Sequence, residues 1–477
     1  MLVVYGIVGF IFLGLVYYFL ISKREKIVIT NEFREILDII ETTNQSLFIS
    51  GKAGTGKSTL LKYFASHTLK NHVILAPTGV AALNVKGQTI HSFFRFPPKV
   101  IDPSTIEPNF ARNALFRNIQ TIVIDEISMV NANVLHCIDT SLRINRNTTL
   151  PFGGIQMVFI GDLFQLPPVV ATGTQEYFRT NYGGEYFFYC PSLRGEFEFH
   201  KRELTTVFRQ RDEDFKEILN RVRLSETTFE DFVKINTRHI SNITKIEDTN
   251  IVLTTTNRIA KTINRLNMER ISSEEYVNKA HMEGKIKEDF DKLNDSFSRE
   301  EITEDDFDDK LENKFPANVI LKLRNGCQVM MIKNDSSRRW VNGSLGRVTK
   351  LTNDRIWVKL DSGTHEIERE EWTDISYKYD ALKKEIREIV KGTFRQFPLK
   401  AAWAITIHKS QGKTFDRITI DVGNGAFSHG QTYVALSRCK TLSGITLYNE
   451  IQQADIIVDQ RVVDYYKDEF PSTEASA

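Results

Sequence analysis

Ser50-Gly-Lys-Ala-Gly-Thr-Gly-Lys-Ser58 is the stretch on which the reading of this chain turns. It lies between Ser46–Ser50, an apolar run that predicts a buried strand, and Leu60–Leu69, whose apolar spacing predicts a helix. The pattern Gly-x-x-x-x-Gly-Lys-Ser, at Gly51, Gly56, Lys57 and Ser58, therefore has the strand, loop and helix setting that its chemistry requires. Glycines, Gly54 included, let the backbone curl so that its N–H groups and the helix N-terminus face a phosphate. Lys57 would reach the outer phosphates and Ser58 would ligate Mg²⁺, with Thr55 and Thr59 completing the loop around ATP.

Outward from this loop, further β-branched runs recur at His72–Ala76, Thr121–Asp125, Gln156–Ile160, Ile251–Thr255, Arg417–Asp421 and Gly444–Tyr448. Most are apolar throughout, as strands of covered parallel sheets are, with helical segments between them; the expected class is α/β. Val329–Arg369 differs, with alternating residues around Asn342-Gly343 and Asp361-Ser-Gly363, and predicts a small antiparallel β module. The run Ile122-Val-Ile-Asp-Glu126 is a strand ending in two carboxylates, which would project into the crevice at the carboxyl edge of an α/β sheet. Asp125 would hold the metal and Glu126 would orient and deprotonate water. After the next strand, in Gly161-Asp-Leu-Phe-Gln-Leu-Pro-Pro168, Gln165 is placed to register the γ-phosphate.

Composition narrows the class. The 477 residues carry 62 Lys+Arg against 61 Asp+Glu, a formal charge of +1, with 41% hydrophobic and 26% charged residues. Such values exclude a wholly disordered, collagen-like or polytopic membrane chain. Two segments depart from the average. Leu2 to Ser22 is a run of 21 residues without a charge, followed by Lys23, Arg24 and Lys26. It predicts a single membrane anchor at 1–22 with residues 23–477 cytoplasmic; a core helix, a mis-chosen start, and a soluble cytoplasmic protein are the alternatives. Between Glu288 and Glu312, 12 carboxylates and three cations give a net −9, so the rest of the chain carries +10. A solvated loop is the expectation for this insert, and the basic remainder is compatible with a polyanion. Four cysteines, Cys137, Cys190, Cys327 and Cys439, lack the spacing of a zinc site or disulfide framework and suit a reducing compartment.

With Ala76-Pro-Thr-Gly-Val-Ala-Ala82, Thr89-Ile-His-Ser-Phe93, Val207-Phe-Arg-Gln210, Asn342-Gly-Ser-Leu-Gly346, Ile407-His-Lys-Ser-Gln-Gly412 and Tyr433-Val-Ala-Leu-Ser-Arg438 added to these segments, the chain resembles the Pif/RecD-like family of superfamily-one DNA helicases. From Gly51 to Arg438 the series spans 388 of the 477 residues in the family's order. The resemblance implies two RecA-like domains, at 27–204 and at 205–328 with 395–477, an SH3-like insertion at 329–394, and an ATP-driven motor moving 5′ to 3′ on single-stranded DNA and on forked or overhang duplexes, in repair, recombination or replication. It implies that Arg209 and Arg438 stabilise the transition state. Thr78, Thr89, His91 and Phe93 in the first domain, with His408, Lys409 and Ser410 in the second, would hold the DNA, and Gln411 and Gly412 would link that track to the nucleotide. No adenine-reading glutamine precedes the loop at Thr30-Asn-Glu-Phe-Arg34, where the family usually has one. A membrane-tethered nucleotide-dependent scaffold and an RNA-directed motor remain as other readings.

Overall fold

Strands with no polar face need a sheet covered on both sides, and four such strands form the middle of the first sheet, with more polar strands at its two edges. The computed structural model describes residues 29–240 and 250–470 except single positions 98, 172, 196, 211, 338, 353 and 424. In it β1 (Ser46–Gly51), β2 (His72–Ala76), β3 (Gln88–Thr89), β4 (Thr121–Ile124), β5 (Gln156–Gly161) and β6 (Phe199–Leu204) run parallel in the order β3-β2-β4-β5-β1-β6. The helices of this part include α1 (Asn31–Thr42), α2 (Lys57–His67) and α3 (Gly79–Asn84). Thr30 caps α1 by accepting from Phe33 N at 3.2 Å, and the spacing of Phe33, Ile36 and Ile40 puts all three against Leu47, Ile49, Leu60 and Leu61. Burial of such side chains stabilises by roughly 1.5–3 kcal/mol each.

Register decides where the loops open. Ser50 lies opposite Gly161 and Ile124 opposite Phe159, so β1, β4 and β5 end almost level. The phosphate loop, Asp125-Glu126 and Asp162–Gln165 therefore share one edge of the sheet.

Beyond β6, α4 (Glu213–Leu224) leads toward a second parallel sheet that opens with β7 (Ile251–Thr254). The chain then leaves it through β8 (Glu275–Lys279), β9 (His281–Glu283), α5 (Gly284–Ser298), α6 (Glu304–Lys314) and β10 (Ile320–Arg324). Next come β11 (Gln328–Met331), β12 (Leu345–Leu351), β13 (Ile356–Leu360), β14 (Gly363–Ile367), β15 (Glu370–Asp380), β16 (Glu385–Gln396) and β17 (Leu399–Ala401). It returns as β18 (Ala404–Thr406), β19 (Ile418–Asp421), α7 (Gln431–Ser437) and β20 (Ile445–Leu447), completing the order β18-β7-β19-β20.

The excursion differs from the expected single unit at 329–394. An antiparallel sheet, β14-β13-β12-β11-β17, does form where alternation predicted one, around Val329, Met331, Val348, Ile356 and Val358. Its fifth strand comes from Leu399–Ala401, however, and residues 370–396 belong to another sheet, β15-β16-β9, so the boundary at 394 cuts through β16. The reason is long-range. Met330 pairs with Lys400 across 70 residues, whereas the hairpin turns its apolar face elsewhere. Tyr377 reaches the first sheet, its hydroxyl accepting from Ile74 N at 3.3 Å, and Asn71 bonds the tip through Lys384 O at 3.2 Å and Ile386 N at 3.0 Å.

The acidic insert is also not a solvated loop. It is largely the two helices α5 and α6; Thr303 caps α6, and Phe297 stacks on Phe307 at 4.6 Å. Phe290, Leu311 and Phe315 pack with Trp372 and Phe394. Glu304 and Asp306 fall in the first turn of α6, where the helix dipole favours carboxylates. The anchor expected at 1–22 lies outside the described residues, and among those described no helix is long and apolar enough to cross a membrane.

Tyr377→Phe keeps the ring, 6.2 Å from Phe93, but strands the Ile74 N–H in a buried place. Stability should fall by about 1–2 kcal/mol, read as a lower urea midpoint; an unshifted midpoint would mean the hairpin contact is dispensable.

Candidate active site and nucleic-acid groove

The loop after β1 turns on two glycines. Gly54 has φ +88°, and a Cβ there would sit 2.6 Å from Arg209 Cβ, so only glycine lets residue 209 approach the loop. Gly56, φ +86°, caps α2, whose first turn presents Ser58 and Thr59 to solvent. Gly51 ends β1, and Thr55 is buried with its hydroxyl donating to Lys52 O at 2.9 Å. Lys57 Nζ donates to the carbonyl of Lys52 at 3.0 Å and to that of Gly51. Burial holds this lysine below its ordinary pKa, against the pull of Asp162 and Glu126. A phosphate would offer its ammonium a far better counter-charge than two carbonyls.

Asp125 leaves β4 with its N–H on Leu75 O at 2.9 Å and is 7% exposed. Burial, and then the adjacent Glu126 charge, push its carboxyl up to about 7. Glu126 stands in the left-handed region, φ 52° and ψ 46°, a strained position for a residue with a side chain. Its Oε2 is buried without a hydrogen-bond partner, and burial raises its pKa too, against Lys57 and Arg438. Two neighbouring carboxyls raised by burial fit a Mg²⁺ site, since a cation would relieve both. Among the described residues no cluster of three or more His, Cys, Asp or Glu side chains could hold a metal.

Gln165 meets two neighbours that its sequence context did not name. Its Nε2 donates to Asp162 Oδ2 at 3.2 Å, and its Oε1 accepts from Gln411 Nε2 at 3.4 Å, so the edges of the two parallel sheets touch through these amides. Gly412 follows with φ +73°. Arg209 donates to Ser437 O at 3.1 Å, and burial, helped by Arg438, lowers its guanidinium to about 9. Arg438 is 1% exposed and bonds Val434 O at 2.9 Å and Ser437 Oγ at 2.8 Å on its own helix. Phosphate loop, carboxylate pair, glutamines and arginines thus converge on one edge.

Four further residues there escape a reading of the sequence. Asp162 is fully buried and pairs with Arg223 of α4 at 3.3 Å. Burial disfavours the Asp162 charge, yet Arg223 and Lys57 outweigh it and hold the carboxyl below the usual range. Tyr433 accepts from Ala53 N at 3.0 Å and donates to Asp162 Oδ2 at 3.3 Å, while Gln210 donates to Ser437 O at 3.1 Å. Asp162, Gln210 and Tyr433 lie inside the family's motif segments; Arg223 carries no signal beyond its place on an amphipathic helix.

From Ser58, Asp125 and Glu126 a groove of 2870 Å³ runs past Thr78, His408, Lys409, Gln411 and Gly412 to α6. Thr78 is exposed at the start of α3, and burial keeps the His408 ring below its ordinary pKa, so it faces the groove as a neutral, stackable imidazole. Other expected contacts fall elsewhere. Phe93 is 0% exposed, packed edge-on against Phe94, Phe116 and Tyr377, and cannot stack on a base. Ser410 is equally buried, its hydroxyl donating to Ile407 O at 2.6 Å. Thr89 spends its side chain capping a short helix on Ser92 N, and half-buried His91 next to it does not line the groove.

Residues 28–232 match the model of the PIF1-like helicase family and residues 306–351 that of the DNA helicase Pif1 2B domain. The ATP-dependent DNA helicase Pif1 of Bdellovibrio bacteriovorus is 30% identical over 93% of this chain and 92% of its own length. Unliganded Pif1 from Bacteroides sp superposes with a TM-score of 0.81, 34% identical over 94% of this chain and 98% of that one. The Bacteroides Pif1 helicase in complex with ADP-AlF3 and ssDNA gives 0.65 at 35% identity, over 93% of this chain and 99% of that one. The chain spans 62% of the length of the longer PIF1 of Emericella nidulans. With a PIF1-like family model matched over the first sheet and a Pif1 relative matched along nearly its whole length, the chain belongs to the PIF1-like helicase family.

Proposed function

We propose that the chain is an ATP-dependent DNA helicase that steps 5′ to 3′ along single-stranded DNA. The observation that carries this is the continuity of the nucleotide edge with the groove through Gln165 and Gln411, which lets a change at the γ-phosphate reach the track. The two parallel sheets are then RecA-like domains and the five-stranded sheet the SH3-like insertion.

In this mechanism Lys57 leaves the carbonyls of Gly51 and Lys52 for the β and γ phosphates, while the loop's N–H groups hold the rest of the chain of oxygens. Ser58 and Asp125 would hold Mg²⁺, which when bound neutralises charge on the phosphates. Glu126 orients the attacking water and takes its proton; its raised pKa and unpartnered oxygen suit it to that task. Arg209 and Arg438 swing from Ser437 and Val434 toward the developing charge. Gln165 loses or keeps its contact to Gln411 according to whether the γ-phosphate is there, and Thr78 and His408 move relative to each other along the strand. Stacking on His408 and phosphate contacts from Lys409 would grip that strand without reading its sequence.

The expected result is ATPase activity strongly stimulated by single-stranded DNA, abolished in Lys57→Ala. Glu126→Gln should lower kcat roughly 10²–10⁴-fold while nucleotide still binds. Hydrolysis indifferent to DNA, or full activity in either variant, would sink the assignment. Unwinding of a duplex with only a 3′ overhang, and none with a 5′ overhang, would reverse the polarity. For the run at 1–22 we propose a membrane anchor, supported by its uncharged 21 residues and the cations after it. Full-length protein should then sediment with membranes and the chain from residue 23 should not; equal partitioning would end that idea.

A further inference from the structure

We propose that Lys400 and Lys409 form a seat for one backbone phosphate of single-stranded DNA, and that Glu312 of the acidic helix α6 holds this seat until a strand displaces it. The inference rests on the DNA-motor reading above and adds to it a binding residue, Lys400, and the regulation of the track.

The geometry is that of one anion shared by two ammonium groups. Lys400, on β17, puts Nζ 3.3 Å from Glu312 Oε1; Lys409, just beyond β18, puts Nζ 2.8 Å from Oε2. Each carboxylate oxygen takes one lysine, as two oxygens of a phosphodiester would. Burial alone would raise the Glu312 pKa, but the two lysines outweigh it and hold the carboxyl low, so Glu312 sits there as an anion. A third lysine, Lys413, is buried close by, lowered to about 8 by burial and by Lys400, and its Nζ donates to the neutral Asn342 Oδ1 at 3.0 Å. Two lysines thus share one carboxylate, with Lys413 close enough to feel Lys400, which leaves the seat with an excess of positive charge for a polyanion.

The position of α6 turns this clasp into a block. The helix packs against α3, the short helix that begins right after Thr78, and through Glu312 it reaches the turn carrying His408 and Lys409. It therefore crosses the groove between the two halves of the proposed track, where Phe307, Leu311 and Glu312 form part of the wall. Yet the bonds that keep it there are modest. The side chains of Lys400, Lys409 and Glu312 are 20%, 25% and 36% exposed, and partly exposed ion pairs are weak and yield to salt. A strand presenting a row of phosphates gains by counterion release at each lysine it meets, whereas α6 offers a single carboxylate. The net −9 of residues 288–312 also repels DNA as long as the helix stays docked.

The test uses the full chain and a labelled oligothymidylate titrated at several salt concentrations. Glu312→Gln, nearly isosteric, should tighten binding about three- to tenfold. Lys400→Ala should weaken it and reduce the slope of log affinity against log salt by about one. Asp295→Asn, the same charge change at an exposed position of α5, should leave affinity as it is. Equal or weaker binding by Glu312→Gln, or a salt slope untouched in Lys400→Ala, would overturn the seat while leaving the helicase reading in place. Wild-type chain that binds no DNA at any salt would overturn that reading and the seat with it. An equal gain in Asp295→Asn would reduce the effect to net charge and refute the specific clasp.

Discussion

A carboxylate and a guanidinium that both leave water entirely can be tolerated only in each other's company, and the Asp162–Arg223 pair, at 0% and 2% side-chain exposure, imposes that condition on the centre of this molecule. Asp162 follows β5 of the first sheet; Arg223 lies on α4, past the crossing from that sheet, and its guanidinium is sandwiched 4.2 Å from Phe164 and 4.9 Å from Tyr466. The same carboxylate takes the Tyr433 hydroxyl and the Gln165 amide, and Tyr433 in turn holds the N–H of Ala53 in the phosphate loop. One buried anion therefore ties the loop, Gln165 and the helix capped by Arg438 to one another. Breaking such a pair from one side leaves an uncompensated buried charge, costing on the order of 3–5 kcal/mol.

The groove is held differently. Glu312 on Lys400 and Lys409, and Asn71 on the tip of the long hairpin, are partly exposed contacts of the kind that water and salt weaken. The candidate nucleotide site thus sits on an edge tied by a buried ion pair, while the groove is closed by contacts of small individual strength. For the motor proposed above this division would be useful. Its nucleotide site would keep its geometry through each cycle, whereas the elements flanking the groove would move as a strand is taken up and passed along.

Much of the nucleotide edge was legible in the sequence because it depends on local backbone chemistry. A loop rich in glycine after an apolar run, an apolar strand ending in Asp125-Glu126, and a turn carrying Gln165 each state their place within a few residues. The α/β class followed from strands without a polar face, and the antiparallel unit from alternation and Asn342-Gly343. The track was less legible. Phe93 and Ser410 lie in segments of the right pattern, but whether a side chain in a short helix or turn faces the groove or the core depends on what packs behind it, here Phe116 and Tyr377 for Phe93. The acidic run read as solvated because composition reports charge and not the aromatic spacing, Phe290, Phe297 and Phe307, that let α5 and α6 pack.

By itself, then, the sequence determined the phosphate loop, the carboxylate pair and the class of sheet, because φ-permissive glycines, helix N-termini and apolar strands act over a handful of residues. Only the tertiary structure decided which residues meet: Met330 with Lys400, Asp162 with Arg223, Glu312 with Lys409. Those pairings join positions 61 to 97 residues apart, and they are settled by sheet register and by the cost of burying charge without a partner, neither of which is a property of any one stretch of chain.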